Sequence, residues 1–364
     1  MISDLSPYLV PFLLIHAWLV VTLVGNLVHM ARQRRRAATP RVSVILPARN
    51  EERHLPRLLD SLFAQRYEDF EVVVYDDGST DCTPEILAAC SDSRLVRLRG
   101  EGPPPGWLGK PHALYEATRH ATGDVFLFLD ADAALAHPEA LRELAERHAA
   151  LPAPAVLTGV TNLRTSGAWL LVSMAAHAIL TGLPWFVPRR VRLRSLGGVN
   201  GQVWMIDADV YRRFEPHAAV RDRILEDVEA GRYLRVQGVG LTIAPLARLV
   251  HVRMYEDYPD AWRGFRKNTY FMLGGTPLAF AVLLLVYVGT YLVAPFVTPW
   301  LLIPLVVTKA VTDVLCGLPV WHGLTAPLSH LLSVALALDS AHAYATGRAR
   351  WKGRTVGKSV KGEG

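Results

Sequence analysis

The chain has 364 residues, 51% of them hydrophobic, with a net charge of +6 and a mean hydropathy of +0.20. That length holds one sizeable domain plus accessory segments, and the apolar excess over an ordinary soluble composition is concentrated at the two ends of the chain, as membrane segments would be. No zinc-finger spacing or basic–aromatic repeat is present, so nucleic acid is not an expected partner, and Cys82, Cys90 and Cys316 form neither a C-x-x-C pair nor a disulfide framework.

Pro7 to Val28 is apolar apart from His16 and Asn26, and about 20 such residues suffice to cross a bilayer. Arg32, Arg34, Arg35 and Arg36 follow at once. Positive charge on that side predicts a cytoplasmic exit and an outward N-terminus. Because the charges follow the apolar run instead of preceding it, residues 1–30 read as an uncleaved anchor and not a signal peptide. The Arg clusters beside apolar segments suit an anionic membrane surface.

Strand and helix then alternate. Val42 to Pro47 is a strand, and Leu55, Leu58, Leu59 and Leu62 have helical spacing. Phe70 to Tyr75 is a second strand running into Asp76-Asp77-Gly78-Ser79-Thr80-Asp81, where Gly78 permits the turn and Asp81 or Thr83 caps the next helix. Leu95 to Leu98 is a third strand. A proline-rich loop, Gly102 to Gly109, delivers Lys110, and a helix covers Ala113 to Ala121. Val125 to Leu129 is a strand buried on both faces, ending in Asp130-Ala131-Asp132. If the strand geometry continues, Asp130 and Asp132 face one side, at the carboxyl edge where open α/β sheets bind ligands. Two such carboxylates suit a hard divalent cation that itself carries phosphate, although a solvated Asp-rich turn has the same D-x-D pattern. The alternation predicts a mostly parallel, doubly wound α/β sheet within residues 40–270.

Three motifs at three strand ends, Pro47-Ala48-Arg49-Asn50-Glu51-Glu52, Asp76-Asp77-Gly78-Ser79-Thr80-Asp81 and Asp130-Ala131-Asp132, resemble in order and spacing the nucleotide-sugar-binding half of a family 2 glycosyltransferase with the GT-A fold. The resemblance implies an α/β, Rossmann-like domain with a mixed central sheet. It implies donor-binding roles for Pro47, Arg49, Asn50, Glu51, Asp76, Asp77 and Asp130, the last near ribose or metal. It further implies a divalent cation, Mg2+ or Mn2+, on Asp132 with help from Asp130, and a nucleotide-sugar donor, most naturally a UDP-sugar. Lys110 is placed to meet the phosphates as a point charge, with a solvated loop lysine as the plain alternative.

Pro138 to Leu151 reads as a helix and Val156 to Val160 as a strand. Residues 167–188 read as a helix lying in the membrane interface or packed against the domain, with Trp169, Trp185 and Phe186 as anchors and Arg189, Arg190, Arg192 and Arg194 beyond them. Gly197 to Ile206 is a glycine-rich turn feeding a strand, consistent with close approach of backbone to a ligand or with a plain turn, and Gly201 and Gln202 within it are expected on the acceptor side. Glu226-Asp227 opens a helix. Such a pair usually complements a helix dipole, but it also resembles the family's Glu-Asp motif, which implies Asp227 as the base that takes the acceptor's proton and Glu226 as an acceptor-side neighbour. His217 stands in Glu215-Pro216-His217 where the family pattern leads one to expect Gly-Gly-His. The Gln-x-x-Arg-Trp signature of processive polysaccharide synthases is absent; Trp262 and Arg263 are at most its distant counterpart and are expected to line an acceptor path.

Pro277 to Val297, Trp300 to Val320 and Leu324 to Tyr344 are three apolar segments within residues 277–345. Lys309 and Asp313 lie four apart, on one helical face, and are expected to pair. The tail, 346–364, carries Arg348, Arg350, Lys352, Arg354, Lys358 and Lys361 and should be cytoplasmic. Three full crossings after a cytosolic domain would put it outside, so one segment is expected to be re-entrant or interfacial. With Trp107-Leu108-Gly109-Lys110, these features resemble a membrane-bound subgroup acting on carotenoids or other polyisoprenoid- and hopanoid-type lipids. The resemblance implies a multi-pass protein of the cell membrane with a cytosolic catalytic domain, an inverting transfer and a lipid acceptor. A processive polysaccharide synthase and a non-catalytic lipid-binding protein with a degenerate donor domain are the alternatives.

Overall fold

The structure is a computed structural model that describes residues 9–165, 167–351, 354 and 355. Pro7 of the first apolar stretch and Lys352, Lys358 and Lys361 of the basic tail lie outside the described residues. The chain forms two compact units. Of the described residues, one comprises His29–Arg164 and Trp185–Arg253; the other comprises residues 9–28, Thr165–Pro184 and 254–355.

The first unit is built on a seven-stranded sheet. Its strands are β1 (Val42–Ala48), β2 (Phe70–Asp77), β3 (Leu95–Gly100), β4 (Val125–Leu129), β5 (Ala155–Val160), β6 (Val203–Asp207) and β7 (Gly240–Pro245). The order across the sheet is β3-β2-β1-β4-β6-β5-β7. β1, β2, β3 and β4 are mutually parallel, with Val44 beside Val72 on one side and Leu127 on the other. β6 runs antiparallel to both neighbours, Met205 lying between Leu127 and Leu157. The sheet is therefore mixed, and the simple alternation of strands and helices holds only as far as β4.

The buried strands explain the apolar runs. Every residue of β4 is buried, and so is every residue of β2, including Glu71, Asp76 and Asp77. Leu55, Leu58, Leu59 and Leu62 form the buried face of the Leu55–Phe63 helix, as their spacing predicts. Below the carboxyl end of β4, Phe128 stacks on Trp204 with centroids 4.1 Å apart and planes 14° off parallel. Such pairs contribute about 0.5–1.5 kcal/mol beyond burial, and this one fixes β4 against β6. The chain runs from β1 outward to β3 and then returns to β4 on the other side of β1, so the strand order reverses between β1 and β4. That crevice, at the carboxyl ends, is the expected ligand edge.

The second unit is helical. Val10–Ala31, Pro277–Val297 and Val320–Ala345 are long and apolar enough to cross a membrane. Their outer faces expose Leu14, Leu278, Leu285 and Phe296. Leu19, Leu305 and Ala326 make a small core packed by Ile15, Tyr291 and Val306. The helix Trp169–Gly182 joins this unit: Asn26 donates through Nδ2 to Leu180 O and Leu183 O, each at 2.8 Å. It has 14 residues, about 21 Å at helical rise, against a hydrocarbon core of about 30 Å. Leu302–Leu315 is equally short, so the apolar segment read at Trp300 to Val320 is not one continuous helix.

Candidate active site

The loops after β1 and β2 clasp each other. Asn50, with φ of 54°, donates its backbone N–H to Ser79 Oγ at 2.9 Å, and its side-chain oxygen accepts from Thr80 N at 2.9 Å. Glu51 N donates to Thr83 Oγ1 at 2.8 Å, and Arg49 donates to the carbonyls of Asp77 and Gly78. Asp76 accepts from Ser79 N at 2.9 Å and faces Arg99 at 3.7 Å. Gly78 has φ of 69°, the left-handed conformation glycine adopts without penalty. Pro47 is the one half-buried residue of β1, between the buried Leu46 and Ala48. The two motifs thus form one preorganised platform at the crevice, with Asp76 and Asp77 almost wholly buried beneath it.

Across the crevice the acidic residues meet around Lys110. Its Nζ lies 2.7 Å from Asp130 Oδ1 and 2.8 Å from Glu226 Oε1. Lys110 stands in the first turn of the helix Gly109–His120, and Glu226 opens the helix Glu226–Val236. Asp227, the next residue, accepts from Gly201 N at 3.0 Å and from Val228 N at 2.8 Å. A side chain at Gly201 would bring a Cβ to 2.7 Å from Asp227 Oδ2, so only glycine lets this backbone approach the carboxylate. Gln202 is buried and turned away, its Oε1 accepting from Thr161 Oγ1 at 2.6 Å. A small cavity is lined by Lys110, Asp130, Gly201, Trp204, Glu226 and Asp227.

This crowding sets the charges. Burial and the Glu226 carboxylate push Asp227 up to about 6, against the opposing pull of Lys110. Burial works to lower the Lys110 pKa, but Asp130, Glu226 and Asp227 outweigh it and hold the ammonium well above its usual range. His217 also lines the cavity. It is buried against Phe128 and Trp204, pairs with Tyr211 Oη at 2.8 Å, and burial drives it down to about 3, so it is a neutral ring at ordinary pH.

The D-x-D motif departs from the strand expectation. β4 ends at Leu129, and Asp130 to Asp132 form a turn closed by Ala133 N donating to Asp130 O at 3.0 Å. Pleat alternation therefore does not set the directions of the two carboxylates. The Asp132 backbone carbonyl accepts from Arg253 N and Arg57, and one of its carboxylate oxygens is buried. Among the described residues no three His, Cys, Asp or Glu side chains are grouped as a metal-ligand set. One or two carboxylates are nonetheless what Mg2+ or Mn2+ takes when phosphate and water complete its shell. Asp132 and Asp130 are the two carboxylates of this turn that could take such a cation, Asp130 being also paired with Lys110.

Trp262 and Arg263 lie in the helical unit. Trp262 Nε1 donates to Asp339 at 2.7 Å, and Arg263 pairs with Asp260 at 3.4 Å. Arg57, Thr161, Trp204 and Tyr211 support the site without having stood out in the sequence. The only advance signal is that Trp204 lies two residues beyond Gln202, inside the glycine-rich stretch Gly197 to Ile206.

Comparison with known proteins agrees with this architecture. The family model for glycosyl transferase family 2 matches residues 43–213. The 4,4'-diaponeurosporenoate glycosyltransferase of Staphylococcus haemolyticus (strain JCSC1435) is 35% identical over 118 residues, covering 32% of this chain and 31% of the relative. The protein of the same name from Staphylococcus aureus (strain USA300) is 24% identical over 240 residues, 65% of this chain and 62% of the relative. The chain thus spans less than two thirds of the length of either relative. Among solved structures, the mannosyltransferase PcManGT from Pyrobaculum calidifontis, in complex with GDP-Man and Mn2+, superposes with a TM-score of 0.54 at 20% identity, covering 90% of this chain and 98% of its own. At that identity the likeness speaks for the fold. Motifs, sheet and family match agree, and residues 43–213 are a glycosyl transferase family 2 domain built on the GT-A fold.

Proposed function

We propose that this chain transfers a sugar from a nucleotide-sugar to a hydroxyl or carboxyl group of a membrane lipid of the carotenoid or polyisoprenoid class, with inversion at the anomeric carbon. The observation that carries the reading is the meeting of Lys110, Asp130 and the Glu226–Asp227 pair around one cavity at the carboxyl end of β4, which Trp204 of β6 also lines. The platform of Arg49, Asn50, Asp76 and Asp77 receives the nucleoside. Asp132 and Asp130 would hold a divalent cation together with the diphosphate, and that cation would supply neutralisation of charge on the leaving group. Lys110 adds a fixed positive charge on the same side. The acceptor oxygen attacks the anomeric carbon as the bond to the diphosphate oxygen breaks. The electron pair leaves with the diphosphate, and the proton of a hydroxyl acceptor passes to Asp227. A base with a pKa of about 6 is ionised at neutral pH and still basic enough to take that proton. A carboxylate acceptor brings no proton, and Asp227 then matters less.

The reading places the chain in the cell membrane with three crossings, by the helices Val10–Ala31, Pro277–Val297 and Val320–Ala345. One crossing before the catalytic unit and two after it return the basic tail to the side of that unit. The short helix Leu302–Leu315 is then the segment that does not cross, which reconciles the charge bias with the number of apolar segments.

The test is transfer by purified protein supplied with a panel of UDP- and GDP-sugars and extracted lipid, with and without chelator. One sugar per lipid, lost on chelation, supports the reading. A ladder of products supports the processive synthase instead, and nucleotide-sugar binding without any transfer contradicts both.

A further inference from the structure

The helical unit carries a second concentration of chemistry that the glycosyl-transfer reading does not use. Lys309 is fully buried, and its Nζ lies 2.5 Å from Asp313 and donates to Ser173 Oγ at 2.8 Å. Thr312 Oγ1 donates to Lys309 O, so it accepts from His177 Nδ1, 3.2 Å away. The His177 ring is 5.9 Å from that of His330, which stacks on Tyr291 at 4.1 Å; Tyr291 in turn lies 6.5 Å from His16. Tyr291 belongs to a π-helical turn, Gly289–Val293, a distortion found mostly at functional positions. A continuous polar row thus runs through a unit whose outer faces are leucine, valine and phenylalanine.

Buried polar atoms of this unit, those of three row histidines among them, have unused capacity. His16 Nε2, His177 Nε2, His330 Nε2, Thr290 Oγ1 and Ser329 Oγ are buried and have no hydrogen-bond partner among the described residues. Their residues are each 3% exposed or less. Buried polar groups are nearly always satisfied, and five left bare would together erode much of a domain's net stability. The tautomers say what would satisfy them. His16 Nδ1 donates to Phe12 O at 2.7 Å, and His177 Nδ1 donates to Thr312. In a neutral ring each Nε2 is then a bare acceptor that wants an O–H or N–H donor.

Charge narrows the class further. Lys309 is the one buried lysine or arginine of this unit among the described residues, and Asp313 balances it. A phosphate or free carboxylate would enter as an uncompensated charge, at high cost in an apolar unit. A hydroxyl enters neutral and offers both donor and acceptor. The exposed leucines around the unit mean that such a group would arrive on an apolar chain.

We propose that the polar row of Ser173, His177, Lys309, Thr312 and His330 is a binding site for the hydroxyl end of a long-chain lipid alcohol. It stands on the helical unit alone and is read by binding, not by turnover, so its outcome is separate from that of the catalytic reading.

The test uses the full chain in phosphatidylcholine nanodiscs with a diazirine-bearing isoprenoid alcohol as probe. Photolabel is expected in the helices Trp169–Gly182 and Leu302–Leu315. Excess unlabelled alcohol should reduce it by about tenfold or more, while the alkane of equal length and the phosphate monoester should not; about tenfold is what one hydrogen bond is worth. Thr312→Val and His177→Phe should each weaken labelling by a similar factor, with Thr312→Ser retaining it. Because either variant can fail to fold, the competition on unaltered protein decides by itself. Label confined to outward residues such as Leu278 and Leu285, or competed equally by alkane, would mean that the row holds only water and would overturn the proposal. Equal competition by the phosphate ester would overturn the assignment to a hydroxyl.

Discussion

Two lysines, one in each unit, show how differently the same side chain is used. Lys110 faces Asp130 and Glu226 at hydrogen-bonding distance, with Asp227 adding to the field, and its side chain remains 35% exposed. One cation there stands against several carboxylates. Such a cluster attracts further positive charge and raises the affinity of Asp227 for its proton. Lys309 faces Asp313 alone and is wholly buried. That pair is balanced, and the ammonium makes one further hydrogen bond, to Ser173. An unbalanced cluster around a cavity at the carboxyl end of a strand suits chemistry on a charged donor. A balanced one inside an apolar bundle suits neutral recognition and packing.

The sharpest way to break this contrast is at Asp227. Asp227→Asn keeps the shape and the contact with Gly201 but removes the base. Initial-rate assays should show transfer to a hydroxyl acceptor falling by about 10² to 10⁴, with nucleotide-sugar binding by calorimetry little changed. Next in size is Lys309→Met, which leaves Asp313 buried without its partner and should cost about 3–5 kcal/mol in thermal or denaturant unfolding in detergent. The double variant Lys309→Met, Asp313→Leu should recover most of that loss. No recovery would mean that the pair is not the balanced unit described.

Lys110→Met tests the other lysine. Turnover should fall by about 10² as a fixed positive charge at the leaving group is lost. The pH dependence gives a second readout. In the unaltered protein the rate should rise with pH through about 6, as Asp227 loses its proton. Lys110 lowers that pKa, so its removal should move the acid limb to higher pH. A limb that stays in place separates Lys110 from the base. The smallest effect is expected for Gly201→Ala. The added methyl meets Asp227 Oδ2, and turnover should fall by about tenfold through displacement of the base, without loss of folded protein on size exclusion.

Much of this was legible in the sequence where the signals are local. The strands to Leu129, the Leu55–Leu62 face and the helix opened by Glu226 follow from short-range pattern. What resisted is long-range. β6 enters antiparallel between β4 and β5 after a helical excursion through the other unit, and nothing within Val203–Asp207 announces its direction. Nothing near Lys110 names Glu226 as its partner, because the contact exists only once two distant helix starts converge. Asp130 and Asp132 share a face only if the strand continues past Leu129, and where the strand stops is set by the neighbouring turn. His16, His177 and His330 are scattered singles along the chain, and only the bundle gathers them.

The central claim is that the Lys110–Asp130–Asp227 crevice glycosylates a membrane lipid. Lipid mass spectrometry of cells expressing equal amounts of the unaltered chain, of Asp227→Asn, or of neither tests it most directly. The account predicts one lipid class gaining the mass of a single sugar residue with the unaltered chain, and that product depleted at least a hundredfold in the variant. The same product at equal abundance in the variant, or no sugar-bearing lipid that depends on the chain, would contradict it.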